Sequence, residues 1–117
     1  MKIKKILFIS KDPGGVNSLI PVIKTCQKSR NFHCIVFSHK LSENMYIKER
    51  IPHLPLEKFD YSTKKKDAVE KILLYYKPDI IITGSSRPYF HEPITPEQLF
   101  IKYSKNKNIY SISIMDY

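Results

Sequence analysis

Apolar positions along the chain fall into two alternating patterns: short continuous runs, and longer stretches at helical spacing. Residues 3–10 (IKKILFIS) end in a continuous apolar run, as expected of a strand covered on both faces of a sheet. After S-K-D-P-G-G-V-N-S at 10–18, Val16, Leu19, Ile20, Ile23 and Cys26 or Gln27 recur every three or four positions and predict a helix. Pro21 lies within it, so an irregular start or a slight kink is expected. His33–Ser38 reads as a second buried strand and Leu41–Arg50 as a weaker helix. Residues 51–56 (IPHLPL) read as an extended stretch whose prolines suit a short edge strand.

A second helical pattern runs from about Thr63 to Tyr76, with Ala68, Val69, Ile72, Leu73 and Tyr76 on one face and Lys77-Pro78-Asp79 as its stop. Ile80–Thr83 reads as the most clearly buried strand in the chain, followed by a long loop over 84–95. Thr95, Pro96 and Gln98 then form a helix-start signature: a capping threonine, proline at the first helical position and a T-x-x-Q capping box. Ile94 is placed to staple onto Leu99. That helix is expected to reach about Asn106, and Ile109–Met115 to form a last strand. Strands alternating with helices imply parallel pairing through right-handed crossovers. The expected fold is therefore α/β, a Rossmann-like three-layer domain with a five-stranded parallel sheet in the order 3-2-1-4-5. Nothing follows the last strand to cover its far side, so residues 1–117 are expected to be a single domain of a larger protein.

Composition changes this picture little. At 117 residues the chain is one domain's worth, and no apolar run approaches the roughly 18–20 residues that span a bilayer. Cys26 and Cys34 lack metal spacing and form no disulfide framework, which fits a reducing cytoplasm. The N-terminal Met1–Ile9 segment is too short and too strand-like for a signal peptide. The net charge of +9 comes mostly from scattered lysines, and only Lys64-Lys65-Lys66 forms a run, read as a solvated loop. No nucleic-acid motif, arginine cluster or stacking aromatic pair accompanies the charge, so no specific nucleic-acid partner is expected.

In an open parallel sheet of this order, ligands bind past the carboxyl ends of the strands at the switch point between strands 1 and 4. All three glycines fall there: Gly14 and Gly15 after the first strand and Gly84 after the fourth. Asn17 and Ser18 add polar groups beside the first turn, and Ser85, Ser86 and Arg87 supply donors and a positive charge beside the second. His91-Glu92 is the one adjacent pair able to act as acid and base, with a surface loop in which His91 packs on Tyr89 or Phe90 as the equal alternative. Asp12 and Asp116 both end strands at this edge, each as a general base, a sugar-hydroxyl acceptor or a turn cap. His33, His39 and His53 have no partner in sequence and read as structural, and no spacing supports a metal. The dinucleotide fingerprint G-x-G-x-x-G is absent, Ser38-His39-Lys40 stands where a ribose-binding acid would be needed, and no cofactor is expected. A response-regulator receiver, which shares the strand order, would need an acidic pair, a phospho-accepting aspartate and a lysine at positions this chain fills otherwise.

The segments ILFISKDPGGVNSLIPVI, KPDIIITGSS and NIYSISIMDY resemble the N-terminal domain of two-domain GT-B-type glycosyltransferases and their nucleotide-sugar 2-epimerase relatives. More narrowly, they resemble a bacterial group whose members open with a D-P-G-G-x-N segment. The resemblance implies an acceptor-side domain working beside a second, donor-binding domain, with Gly14, Gly15 and Asn17, Gly84 and Ser85, and Asp116 at the cleft between them. It places the general base at Asp12, Glu92 or Asp116. It implies a nucleotide sugar and a sugar or lipid-linked acceptor as partners, surface-polysaccharide or glycoconjugate synthesis as the setting, and no transfer by this domain alone. The basic surface suits peripheral contact with the inner face of a membrane. The alternatives are a non-catalytic binding module and part of a nucleotide-sugar epimerase.

Overall fold

A computed structural model describes residues 2–115. Its sheet is parallel throughout and built from β1 (Lys4–Ser10), β2 (Phe32–Ser38), β3 (Leu54–Pro55), β4 (Ile80–Thr83) and β5 (Tyr110–Ser113), in the order β3-β2-β1-β4-β5. The helices are α1 (Pro13–Gln27), α2 (Glu43–Lys48), α3 (Lys65–Tyr76) and α4 (Pro96–Lys105), with one 3₁₀ turn at Leu56–Phe59. The expected strand order and layers are those observed. Among the described residues, no helix is long and apolar enough to cross a membrane.

Alternation along β1 builds both halves of the core. Ile6 and Phe8 face α1 and α2, joining Val16, Leu19, Ile20, Ile23 and Tyr46. Leu7 and Ile9 face α3 and α4, joining Phe37, Val69, Ile72, Leu73, Leu99 and Phe100. Each fully buried aliphatic side chain of this kind contributes roughly 1.5–3 kcal/mol, so the central strand is clamped from both sides. Register continues across the sheet, Ile6 lying beside Cys34 on one flank and Ile80 on the other. Connections through α1 and α2 lie on one face and those through α3 and α4 on the other, so the winding reverses between β1 and β4.

Three elements differ from the sequence reading. The second helix shrinks to Glu43–Lys48, because little but Tyr46 in it is buried. The last strand covers only Tyr110–Ser113 and has exposed or half-buried side chains throughout. Helix α1 runs unbroken through Pro21. Pro21 and Asn17 are both exposed, so water can satisfy the Asn17 carbonyl that a proline nitrogen leaves without its donor. Lys77 ends α3 in the left-handed conformation at φ 47°, while Asp79 accepts from the Lys5 backbone N–H at 2.8 Å and fastens the start of β4 to β1.

Candidate functional site

The glycines are where the switch-point argument puts them, but not for the reason that strand-ending glycines suggest. Gly14 and Gly15 are inside the first turn of α1, and no described glycine has a positive φ. What Gly15 provides is closeness. A Cβ there would stand 2.1 Å from the Ser10 hydroxyl oxygen and 2.7 Å from the Ser85 carbonyl. At Gly84 it would stand 2.6 Å from the same hydroxyl and 2.8 Å from the Gly15 carbonyl. The start of α1 therefore rests directly on the loop after β4, backbone against backbone.

This contact lies beside an open cavity of about 280 Å³ lined by Asp12, Gly14, Gly15, Ser85, Ser86 and Arg87. Asp12 is the residue before the helix, yet its side chain makes no capping bond. Its Oδ2 instead accepts from the Arg87 backbone N–H at 2.9 Å, and its Oδ1 lies 4.0 Å from the Lys11 ammonium. The first helical hydrogen bond runs from Val16 N–H to the Asp12 carbonyl, so the Gly14 and Gly15 N–H groups are the uncapped donors of this terminus. Among the described residues the Arg87 guanidinium has no ion-pair partner, and the side chain is exposed.

Beneath the cavity is a polar network that the sequence reading missed. Glu97, in the first turn of α4, is 4% exposed, and its Oε2 accepts from the Ser10 hydroxyl at 3.2 Å, the Lys11 backbone N–H at 3.2 Å and the Ser86 hydroxyl. Ser86 Oγ in turn accepts from the Asp12 N–H at 3.0 Å. Lys11 is fully buried, donating to the Arg87 carbonyl at 3.0 Å with its ammonium 4.1 Å from the Tyr89 ring centroid. Burial pushes the Glu97 carboxyl above its ordinary range, against the hydrogen bonds from Ser86, Lys11 and Ser10 that favour the charged form. The available signal was spacing: 97, 100 and 104 share one helix stripe with buried Phe100 and Ser104.

The remaining candidates separate. Asn17 is exposed and lines a different cavity, between α1 and α2, with Ile20, Pro21, Met45, Lys48 and Glu49. The Ser18 hydroxyl donates to the Gly14 carbonyl at 3.3 Å. His91 is exposed and stacks on Tyr89 at 5.8 Å, the packing alternative for this loop. Glu92 turns away from it, its Oε1 3.9 Å from His39 Nε2 and its Oε2 4.0 Å from the Lys65 ammonium. His39, read as a lone structural histidine, thus has an acidic neighbour, and burial lowers its pKa although Glu92 opposes that shift. Asp116 lies outside the described residues. Among those described, no group of three or more His, Cys, Asp or Glu side chains is arranged to hold a metal ion.

No protein-family model matches the chain, and no curated protein matches its sequence. Solved structures do match its fold. UDP-GlcNAc 2-epimerase from Neisseria meningitidis, bound to UDP-GlcNAc, superposes with a TM-score of 0.68 at 14% identity, over 97% of this chain and 32% of that one. The Methanocaldococcus jannaschii UDP-GlcNAc 2-epimerase gives 0.66 at 16% identity, over 97% and 31%. The S. aureus MnaA–UDP co-structure gives 0.72 at 13% identity, over 96% and 29%. The chain thus spans about a third of the length of these structures, and at such identities the likeness is one of fold. Its class is a Rossmann-like α/β domain of the kind found in UDP-GlcNAc 2-epimerases.

Proposed function

We propose that the chain is the Rossmann-like domain of a GT-B-like nucleotide-sugar enzyme, with the cavity between α1 and the β4–α4 loop as one wall of its active site. The carrying observation is the uncapped start of α1 in that cavity, opposite the unpaired Arg87 guanidinium. Backbone donors at a helix N-terminus and a guanidinium suit phosphate or sugar oxygens. Asp12 is the acceptor for a sugar hydroxyl or the base that removes a proton, and Ser85 and Ser86 add hydroxyls at the rim. Glu92 and Asp116 are further candidate bases that a second domain would have to approach. Epimerisation of a nucleotide sugar is favoured over glycosyl transfer by the fold matches to two UDP-GlcNAc 2-epimerases. In either reaction the domain is inactive alone and supplies the wall that holds the sugar.

Saturation-transfer NMR with UDP and UDP-GlcNAc tests the reading. Weak binding of both is expected, reduced about tenfold or more by Arg87→Gln with an unchanged melting temperature. Ligand contacts that survive Arg87→Gln and Asp12→Asn unchanged would overturn it. Assaying nucleotide-sugar interconversion against sugar transfer, with a donor-binding domain supplied, separates the two reactions.

A further inference from the structure

Parallel topology gathers the chain's charge on the edge of the sheet opposite the cavity. Strands β1, β2, β4 and β5 begin toward it, and the loops entering them lie there: Lys4 lies beside Phe32, and Tyr110 N–H donates to the Asp79 carbonyl. Lys2, Lys4, Lys28, Arg30 and Lys77 are exposed on this edge and Lys107 half-buried. The acids there are already engaged, Asp79 by the Lys5 N–H and Glu49 by the Lys24 ammonium. Other acidic side chains mostly follow the strands, on the cavity side, where charge is mixed. The uniform excess of +9 in the sequence is thus polarised in the fold.

The same edge exposes apolar and aromatic side chains, which an isolated charged face has no reason to carry. Ile3 is 56% exposed, Tyr75 74% and Tyr110 70%. Four strands at a spacing of about 4.8 Å make this a face roughly 14 Å wide, with tyrosines and an isoleucine among lysines.

We infer that this edge is a docking surface for an anionic lipid membrane. Lysines in a broad, shallow array gain from a negative lipid surface without geometric matching. Exposed Tyr and Ile side chains seat at the headgroup boundary, where a ring with a polar tip is favoured. Nucleic acid fits less well: the face has a single arginine among the cations named, and no helix or ribbon projects from it to enter a groove. Docking by this edge would turn the cavity, at the far ends of the strands, away from the lipid. The inference stands apart from the nucleotide-sugar reading, since its readout involves neither the cavity nor turnover.

Sedimentation of the whole chain with phosphatidylcholine vesicles, with and without phosphatidylglycerol, tests it. Binding is expected only with the anionic lipid. Neutralising Lys4, Lys77 and Lys107 to Gln together is expected to weaken binding about a hundredfold, at about fivefold per lysine. The matched change at the cavity edge, Lys40, Lys58 and Lys64 to Gln, should leave most of it. Tyr75→Ser with Tyr110→Ser should weaken binding further at high salt, where charge is screened. Should the triple variant melt early, single Lys4→Gln and Lys107→Gln are each expected to lose about fivefold. Equal losses from the two triple variants, indifference to the tyrosines, or retention of single-stranded DNA without vesicle binding would each overturn the proposal.

Discussion

Gly15 and Gly84 act through what they leave out. Because an added Cβ at Gly15 meets the Ser85 backbone carbonyl at 2.7 Å, side-chain rotation gives no relief and the helix must shift. Gly15→Ala and Gly84→Ala should each cost about 1–3 kcal/mol in urea unfolding, the range for overpacking a tight contact. Gly14 is exposed in the same helical turn, so Gly14→Ala should gain about 0.5–1 kcal/mol instead. Glu97 gives a pH signature. Its folded pKa is raised, so between its unfolded and folded values the native state binds the extra proton. Its favourable contribution is complete below the unfolded value and is lost as pH rises through the folded one. Melting temperatures of Glu97→Gln should therefore improve relative to the parent as pH rises from about 4 to 8, and a constant difference would count against it. At this scale the sequence carried the positions of Asp12, Ser86 and Arg87 but not the buried pairings. Glu97 reads locally as an ordinary acid in a helix's first turn, and His39 as a lone imidazole, because their partners stand far away in sequence.

Among the elements, α4 was the most legible, since its start is written in consecutive residues. Thr95 accepts from the Gln98 N–H at 3.3 Å, and the Gln98 side chain accepts from the Thr95 N–H at 3.0 Å. Thr95→Ala should cost about 1 kcal/mol, measured by thermal or urea unfolding. The cost matters beyond the helix, because this turn carries Glu97 under the cavity. Helix α1 has the opposite character. Asp12 stands at its cap but spends its carboxylate on Arg87, leaving the helix donors to the cavity. Sequence spacing gave the helix but not this choice of partner, which depends on where the loop after β4 returns. Boundaries failed where burial is thin, at α2 and β5, because an apolar pattern marks only residues that find a core.

At the scale of the molecule, strand order and switch point followed from alternation and the handedness of crossovers, which hold whatever the details of each loop. Charge distribution did not, because lysines spread evenly in sequence become neighbours only when the strands align. A net charge of +9 repels itself in the compact state, so the melting temperature should rise between low and moderate salt before levelling off. The three-layer order also fixes a sequence of events at the ribosome. Ser10 and its partner Glu97 are 87 positions apart. At ordinary synthesis rates, roughly 4 to 17 s pass between their appearance. For the middle part of that interval, after β2 is made and before β4 is, β1 has β2 on one side and an open edge on the other, with Ile6–Ile9 awaiting β4. The floor of the cavity is therefore completed late, after all of the central sheet except β5 has been made, and until β4 appears the nascent chain meets its chaperones with its central strand half paired.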